Sequence, residues 1–304
     1  MAALSTMSTR VYTVRLVLAF IVTLLVMGGV KSLPTNDARG ALTWWGLKNA
    51  RFDAMVGEGP RVIFAGGSAT LFGLSAEHFT ELTSQPAFNF GLHANFGQEV
   101  LIDAALAKAR AGDMLIWSPE FSGLTECFPT IAVYGHPWDL SGQTTWRLLE
   151  HWFRTPPDLI ARWSRPIPEG SVYHADAIGP LGDQLRNVGR VSDALCVQGE
   201  AAPIVWELID RVAARAEAHD VELVVRMPSI ADLACNDWVE SMFAALGAGL
   251  QQRGILTLNL SEMRRPSDEF HDTHYHLNLE GVVTATRGLA EQLRRAGRLP
   301  MSPR

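Results

Sequence analysis

Two short stretches of this 304-residue chain hold residue types that can do acyl chemistry together. The first is VIFAGGSATLFGL, residues 62 to 74, where an apolar run stops at Gly66-Gly67 and Ser68 follows. The second is DEFHDTHYHLNLEG, residues 268 to 281, which gathers Asp272, His274 and His276 within five positions. A serine hydroxyl is a weak nucleophile near neutral pH; it needs a base within hydrogen-bond reach and a third group to hold that base in one tautomer. One loop of the second stretch can supply both.

Each stretch has competing readings. Gly66-Gly67-Ser68 lacks the Gly-Lys-Ser/Thr ending of a phosphate loop, and it lacks the Gly-x-Gly-x-x-Gly that a dinucleotide site wants. It also lacks the second glycine of a Gly-x-Ser-x-Gly elbow. It can be a small-residue turn in which Ser68 caps the next helix. In the second stretch His271, His274 and His276 with Asp272 offer enough donors for a metal, although no second ligand cluster accompanies them. They can also be polar loop residues ahead of a final helix capped by Asn278.

The elements that must position these residues alternate in type. Strands are expected at 61–65, 87–90, 113–118, 221–227 and 255–260, and amphipathic helices at 75–84, 97–111, 202–220, 238–254 and 279–297. Continuous apolar strands between amphipathic helices mean a parallel sheet covered on both faces. The fold class is therefore α/β, a three-layer α/β/α arrangement of about five parallel strands. Ser68 follows the first strand, and the Asp272–His276 segment lies between the last strand and the last helix. Both fall on the carboxyl edge, where open α/β sheets bind ligands. Residues 119–200 interrupt the alternation with an irregular Trp- and Pro-rich insertion, which reads either as a lid or docking face or as packing over a sheet edge.

At the amino end, Arg10 and Arg15 precede the uncharged run LVLAFIVTLLVMGGV, residues 16 to 30. With the residues before it this is about twenty positions, the length of a membrane crossing. Residues 1–31 are thus expected to be a cytoplasmic tip and a single transmembrane anchor, the arginines keeping the N-terminus inside. The competing reading, a cleaved signal, lacks a small-x-small cleavage site. Residues 32–60 read as a tether followed by a short amphipathic piece, with Trp44 and Trp45 either at the membrane interface or on the domain. Residues 61–304 form the domain, placed on the far side of the membrane, in a periplasm or its equivalent. A net charge of −6 with scattered arginines excludes nucleic acid as a partner. The three cysteines, Cys127, Cys196 and Cys235, have no metal-ligand spacing, and Cys127 with Cys196 is the one pairing suggested by their shared segment.

The two stretches resemble the blocks of the SGNH (GDSL-like) hydrolase superfamily. Gly66-Gly67-Ser68 with Phe72-Gly73 is similar to the first block, NFGLHA (89 to 94) to the second, and THYHLNLEG to the last. The resemblance covers about 61–118 and 202–297. It implies a flavodoxin-like SGNH fold with Ser68 as nucleophile, His276 as base and Asp272 as its orienting acid, with the backbone N–H groups of Ser68 and Gly91 holding the oxyanion. It implies no cofactor and no metal. Asp272 precedes His276 by four positions where the family has three, so His274 is the alternative base, as in the Asp-x-His spacing of the alginate O-acetyltransferase branch. The third block, usually Gly-x-Asn-Asp, is replaced by WSPEF (117 to 121), which removes the side-chain oxyanion donor and puts Glu120 near its place. Glu120 can take part in substrate binding or be a buried strand-end residue. An anchored domain of this kind resembles envelope acyltransferase accessories that work beside a multi-spanning membrane acyltransferase. The implied activity is ester hydrolysis or O-acyl transfer on a cell-envelope glycan. The alternative is a non-catalytic scaffold that keeps the fold.

Overall fold

The computed structural model describes residues 9–31, 36–55, 57, 59–120, 174–189, 204–232 and 237–301. Cys127, Cys196, Cys235 and most of the 119–200 insertion lie outside the described residues, so the disulfide expectation does too. The chain divides into two compact units, residues 1–38 with 134–166, and residues 39–133 with 167–304.

The described part of the first unit is helix α1, Thr9–Lys31, and the first residues, 36–38, of the next helix. Side chains from Val11 to Leu25 are exposed where described, and those of 26–31 lie outside the described residues. Among the described residues no helix is long and apolar enough to cross a membrane.

The second unit is built on a parallel sheet. Its strands are β1 (Val62–Gly66), β2 (Ala87–Asn89), β3 (Met114–Ser118), β4 (Glu222–Arg226) and, after the short β5 (Ile230–Ala231), β6 (Leu256–Leu258). Their order is β2-β1-β3-β4-β6, every neighbouring pair parallel. Val62 pairs with Ala87 on one side and Met114 on the other, so β1 is central and wholly buried. This is the flavodoxin-like order expected when the chain runs from β1 outward to β2 and then returns to β1's other side. Open α/β sheets place their ligand crevice at such a reversal, here at the carboxyl ends of β1 and β3. Ile230 and Ala231 pair with Arg264 and Arg265 of β7 in a separate two-stranded sheet that the sequence pattern did not suggest.

Helices follow as the amphipathic pattern requires: α2 (Asn36–Asp53), a single turn α3 (Ser68–Leu71), α4 (Ala76–Thr83), α5 (Gln98–Leu106), α6 (Trp206–Ala218), α7 (Asp237–Gln252) and α8 (Leu279–Arg295). One core layer joins Val62, Phe64, Ile116 and Val224 of the sheet to Phe79 of α4 and Leu289 and Leu293 of α8. Helix α5 stops short of the expected residue 111. The buried Asp113 explains this: it accepts the Arg110 N–H at 2.8 Å and pairs with Arg61 at 2.6 Å, drawing 107–112 into turns before β3.

The expected tether contains α2, whose one face is buried at Trp44, Lys48 and Phe52. Four-residue spacing places these three on one side of the helix. Phe52 meets Phe88 of β2 edge-on, ring centres 4.9 Å apart, and the Lys48 ammonium donates to the carbonyls of Asn89 and Gly91. Trp44 thus packs within the domain rather than at a membrane interface. The described part of the insertion, residues 174–189, also packs on this side: Leu181 O accepts the Asn89 N–H at 2.8 Å, and Asn187 Nδ2 donates to Leu277 O at 2.7 Å.

Candidate active site

Ser68 begins α3 immediately beyond β1, where the sheet's order reverses. The turn needs its two glycines. Gly66 has φ of +150°, and a Cβ on Gly67 would lie 2.6 Å from the Glu120 carboxyl. The reading of Ser68 as a helix cap does not hold, because Gly67 caps α3 without a side-chain bond and Ser75 caps α4 by accepting the His78 N–H. The Ser68 hydroxyl instead donates to Glu120 Oε1 at 3.0 Å.

Glu120 stands two residues past β3, buried, with the Ala69 N–H donating to the same Oε1 at 2.7 Å. Burial pushes its carboxyl above the ordinary value; the Ala69 hydrogen bond, the His276 charge and the Ser68 contacts oppose that only in part. A charged carboxyl here, beside the reacting oxygen, would oppose any negative charge developing on an attacked ester.

The second half of the site comes from the loop ahead of α8. His276 is 6% exposed, and its Nδ1 lies 2.7 Å from Asp272 Oδ1. Burial alone would raise the Asp272 carboxyl, yet the hydrogen bond and charge of His276, with the charge of His271, hold it below the ordinary value. An ionised carboxylate only accepts, so Nδ1 of neutral His276 carries the proton and Nε2 presents its lone pair. That Nε2 is buried and has no hydrogen-bond partner among the described residues. Phe72, at the end of α3, stacks on the imidazole with ring centres 4.5 Å apart, and Tyr275 meets it edge-on at 4.8 Å. Phe72 therefore ties the serine segment to the histidine loop.

The four-residue spacing is absorbed by the loop. The His271 N–H donates to His276 O at 2.8 Å and the His276 N–H to Thr273 Oγ1 at 3.1 Å, which curls 271–276 so that Asp272 reaches His276. His274 points elsewhere in the network. Its carbonyl accepts the Ala231 N–H at 2.8 Å, its ring meets Tyr275 edge-on, and burial, then the His276 charge, pushes it down to about 4. Asn278 caps α8 through the Gly281 N–H, so the capping reading of that residue holds beside the Asp272–His276 pair. Among the described residues no group of three or more His, Cys, Asp and Glu side chains is arranged to hold a metal ion.

One expected role needs correction. The Gly91 N–H, named as an oxyanion donor, is spent inside the protein on Asn89 Oδ1 at 2.9 Å, and Asn89 is itself held by donating to Leu74 O at 2.8 Å. A β2-end asparagine can close a short turn on the amide two residues ahead of it, and that local bond takes the donor. The Ser68 backbone amide, the other expected donor, acts on the Glu120 carboxyl and favours its charged form.

Two contributors escaped the pattern. Lys48 is buried under the β2 end, and Asp183 accepts the Ala76 N–H at 2.7 Å and the Ser75 hydroxyl and Glu77 N–H at 2.9 Å each, holding the start of α4. Spacing of Lys48 with Trp44 and Phe52 was the one signal for the first. Asp183, inside an aperiodic segment, had none.

Fold and site together define an α/β protein whose five-stranded parallel sheet carries, at its carboxyl edge, a serine hydrogen-bonded to a buried glutamate and a buried histidine–aspartate pair. No protein-family model matches the chain, and no curated protein matches it.

Proposed function

We propose that this chain is a serine-dependent acyl-ester hydrolase or O-acyltransferase of SGNH type that works through an acyl-serine intermediate. The observation that carries the reading is the buried His276–Asp272 pair, whose Nε2 lone pair has no partner among the described residues, on the same sheet edge as Ser68. The Ser68 hydroxyl turns from Glu120 to His276 Nε2, which removes its proton as Oγ bonds to the ester carbonyl carbon. The electron pair of the C=O bond moves to oxygen, and Asp272 steadies the imidazolium. Collapse expels the alcohol, which takes the proton from Nε2. Water or a sugar hydroxyl then gives its own proton to His276 as it takes the acyl group, and His276 returns that proton to the departing Ser68 Oγ.

The same reading places the domain outside the inner membrane on a single-pass anchor. Its supports are the arginines at 10 and 15, the uncharged run from 16 to 30 and the helical conformation of Thr9–Lys31. The acyl acceptor would be a cell-envelope glycan, and the acyl donor a multi-spanning membrane acyltransferase.

One observation favours a second reading, a scaffold without catalysis: the Ser68 hydroxyl is engaged by Glu120, and the Gly91 amide is spent on Asn89. Hydrolysis of p-nitrophenyl acetate by the full chain in detergent, beside Ser68→Ala, separates the two. Turnover that disappears in the variant supports the enzyme. Equal turnover in both, together with no covalent capture of Ser68 by a fluorophosphonate, leaves the scaffold.

A further inference from the structure

Among the described residues the Gly91 amide, one of the two expected oxyanion donors, is engaged by Asn89, and the carboxyl of Glu120 lies beside the Ser68 hydroxyl. It touches the nucleophilic oxygen itself, with Ser68 Oγ at 3.0 Å, and it also takes the Ala69 N–H at 2.7 Å. Both of these bonds fall on Oε1, and the Ser68 backbone amide also acts on the carboxyl; in the protonated form the proton would sit on Oε2. Among the described residues, the charged side chain that acts on it is that of His276.

We propose, resting on the serine-nucleophile reading, that Glu120 is a catalytic residue that acts as a neutral carboxylic acid, its Oε2–H donating a hydrogen bond to the oxyanion formed when Ser68 attacks an ester. Three observations carry this. The carboxyl is within hydrogen-bond distance of the atom that bonds to the reacting carbon, and the oxyanion is attached to that same carbon. The Gly91 amide points at Asn89 instead of the site, leaving the donor set short. Gly67 leaves no side chain between the carboxyl and the turn, since a Cβ there would lie 2.6 Å from it.

The neutral form follows from the surroundings. Burial disfavours the charged carboxyl, and an oxyanion arriving beside it would disfavour that charge further. A carboxylic acid kept protonated by its site is a known way to give an oxyanion a donor. In the step proposed, the proton abstracted from Ser68 goes to His276 Nε2. Oε2 keeps its proton throughout and supplies only a hydrogen bond, so no further acid or base is consumed.

The test uses the full chain in detergent with p-nitrophenyl acetate, comparing wild type, Glu120→Gln, Glu120→Ala and Ser68→Ala. Glu120→Ala is expected to lower kcat by about a hundredfold or more with KM little changed, the loss typical of one oxyanion donor. Glu120→Gln, whose amide N–H can donate from the same place, is expected to recover most of that loss. A Gln variant as inactive as Ala overturns the proposal, because it would mean that the ionised carboxylate is required. An Ala variant with wild-type kcat overturns it as well.

Should Glu120→Ala fail to fold, the pH profile of the Gln variant decides. In the wild type, Glu120 ionisation causes an alkaline loss of kcat; that alkaline loss is absent from Glu120→Gln if the proposal holds. Its persistence there overturns it. If the wild type neither exceeds Ser68→Ala in turnover nor is labelled at Ser68 by a fluorophosphonate, the serine reading itself has failed, and the role of Glu120 falls with it.

Discussion

Asp272 and His276 are four residues apart in the chain and 2.7 Å apart through Oδ1 and Nδ1. This pairing, and not Asp272 with His274, orients an imidazole toward chemistry. Substituting His276 by Ala should therefore remove ester turnover to the level of Ser68→Ala. Asp272→Asn should cost on the order of a thousandfold or more, since an amide favours the wrong tautomer of His276. His274→Ala should retain most of the activity. Parallel kcat measurements on the three variants check this, and a His274→Ala loss as deep as that of His276→Ala would assign the base wrongly.

Lys48 ties α2 to the β2 end, and burial pushes its ammonium from the ordinary 10.5 down to about 7, the Asp183 charge opposing and Arg51 adding. Between those two values the unfolded chain binds a proton on this side chain that the folded chain does not. Stability should thus rise with pH across that window. Urea midpoints of wild type and Lys48→Met, taken at several pH values from 7 to 10, read the effect as a difference. A wild-type rise no steeper than that of the Met variant would contradict it.

Asp183 holds three donors at the start of α4. Asp183→Ala should lower stability by about 1–3 kcal/mol, the cost of a lost cap with buried donors left unpaired. Ser75 still caps the His78 amide, so the helix should survive. Denaturant unfolding measures the loss, and a change below about 0.5 kcal/mol would show that these bonds count for little.

Deleting residues 1–31 should move the protein from the membrane fraction to the soluble fraction, as expected if the uncharged run from 16 to 30 is its anchor. Fractionation of both forms on a sucrose gradient is sufficient. A truncated form that stays with membranes would mean that another surface binds lipid.

Much of the architecture was legible because its signals are local. Continuous apolar strands and 3.6-periodic helices report burial on each element separately, so the parallel sheet, the carboxyl-edge position of Ser68 and the loop holding Asp272 and His276 could be read without coordinates. Helix α2 was legible only as a short amphipathic piece because a lysine interrupts its apolar stripe. A charged residue reads as solvent-facing until the carbonyls that accept it are known, and those of Asn89 and Gly91 lie about forty residues on.

The tertiary structure alone decided how the site's polar atoms are shared out. By itself the sequence determined that a serine and a histidine–aspartate loop end up on one sheet edge, because strand and helix periodicity is a property of neighbouring residues. It left open whether His274 or His276 takes Asp272, where the Gly91 amide points and what Glu120 does. Those depend on distances of a few ångströms between segments far apart in the chain: Ser68 with Glu120 across the β1–β3 crevice, and Phe72 with His276 across the fold. A hydrogen bond is decided by tenths of an ångström and by direction, and neither is encoded in residue type or spacing.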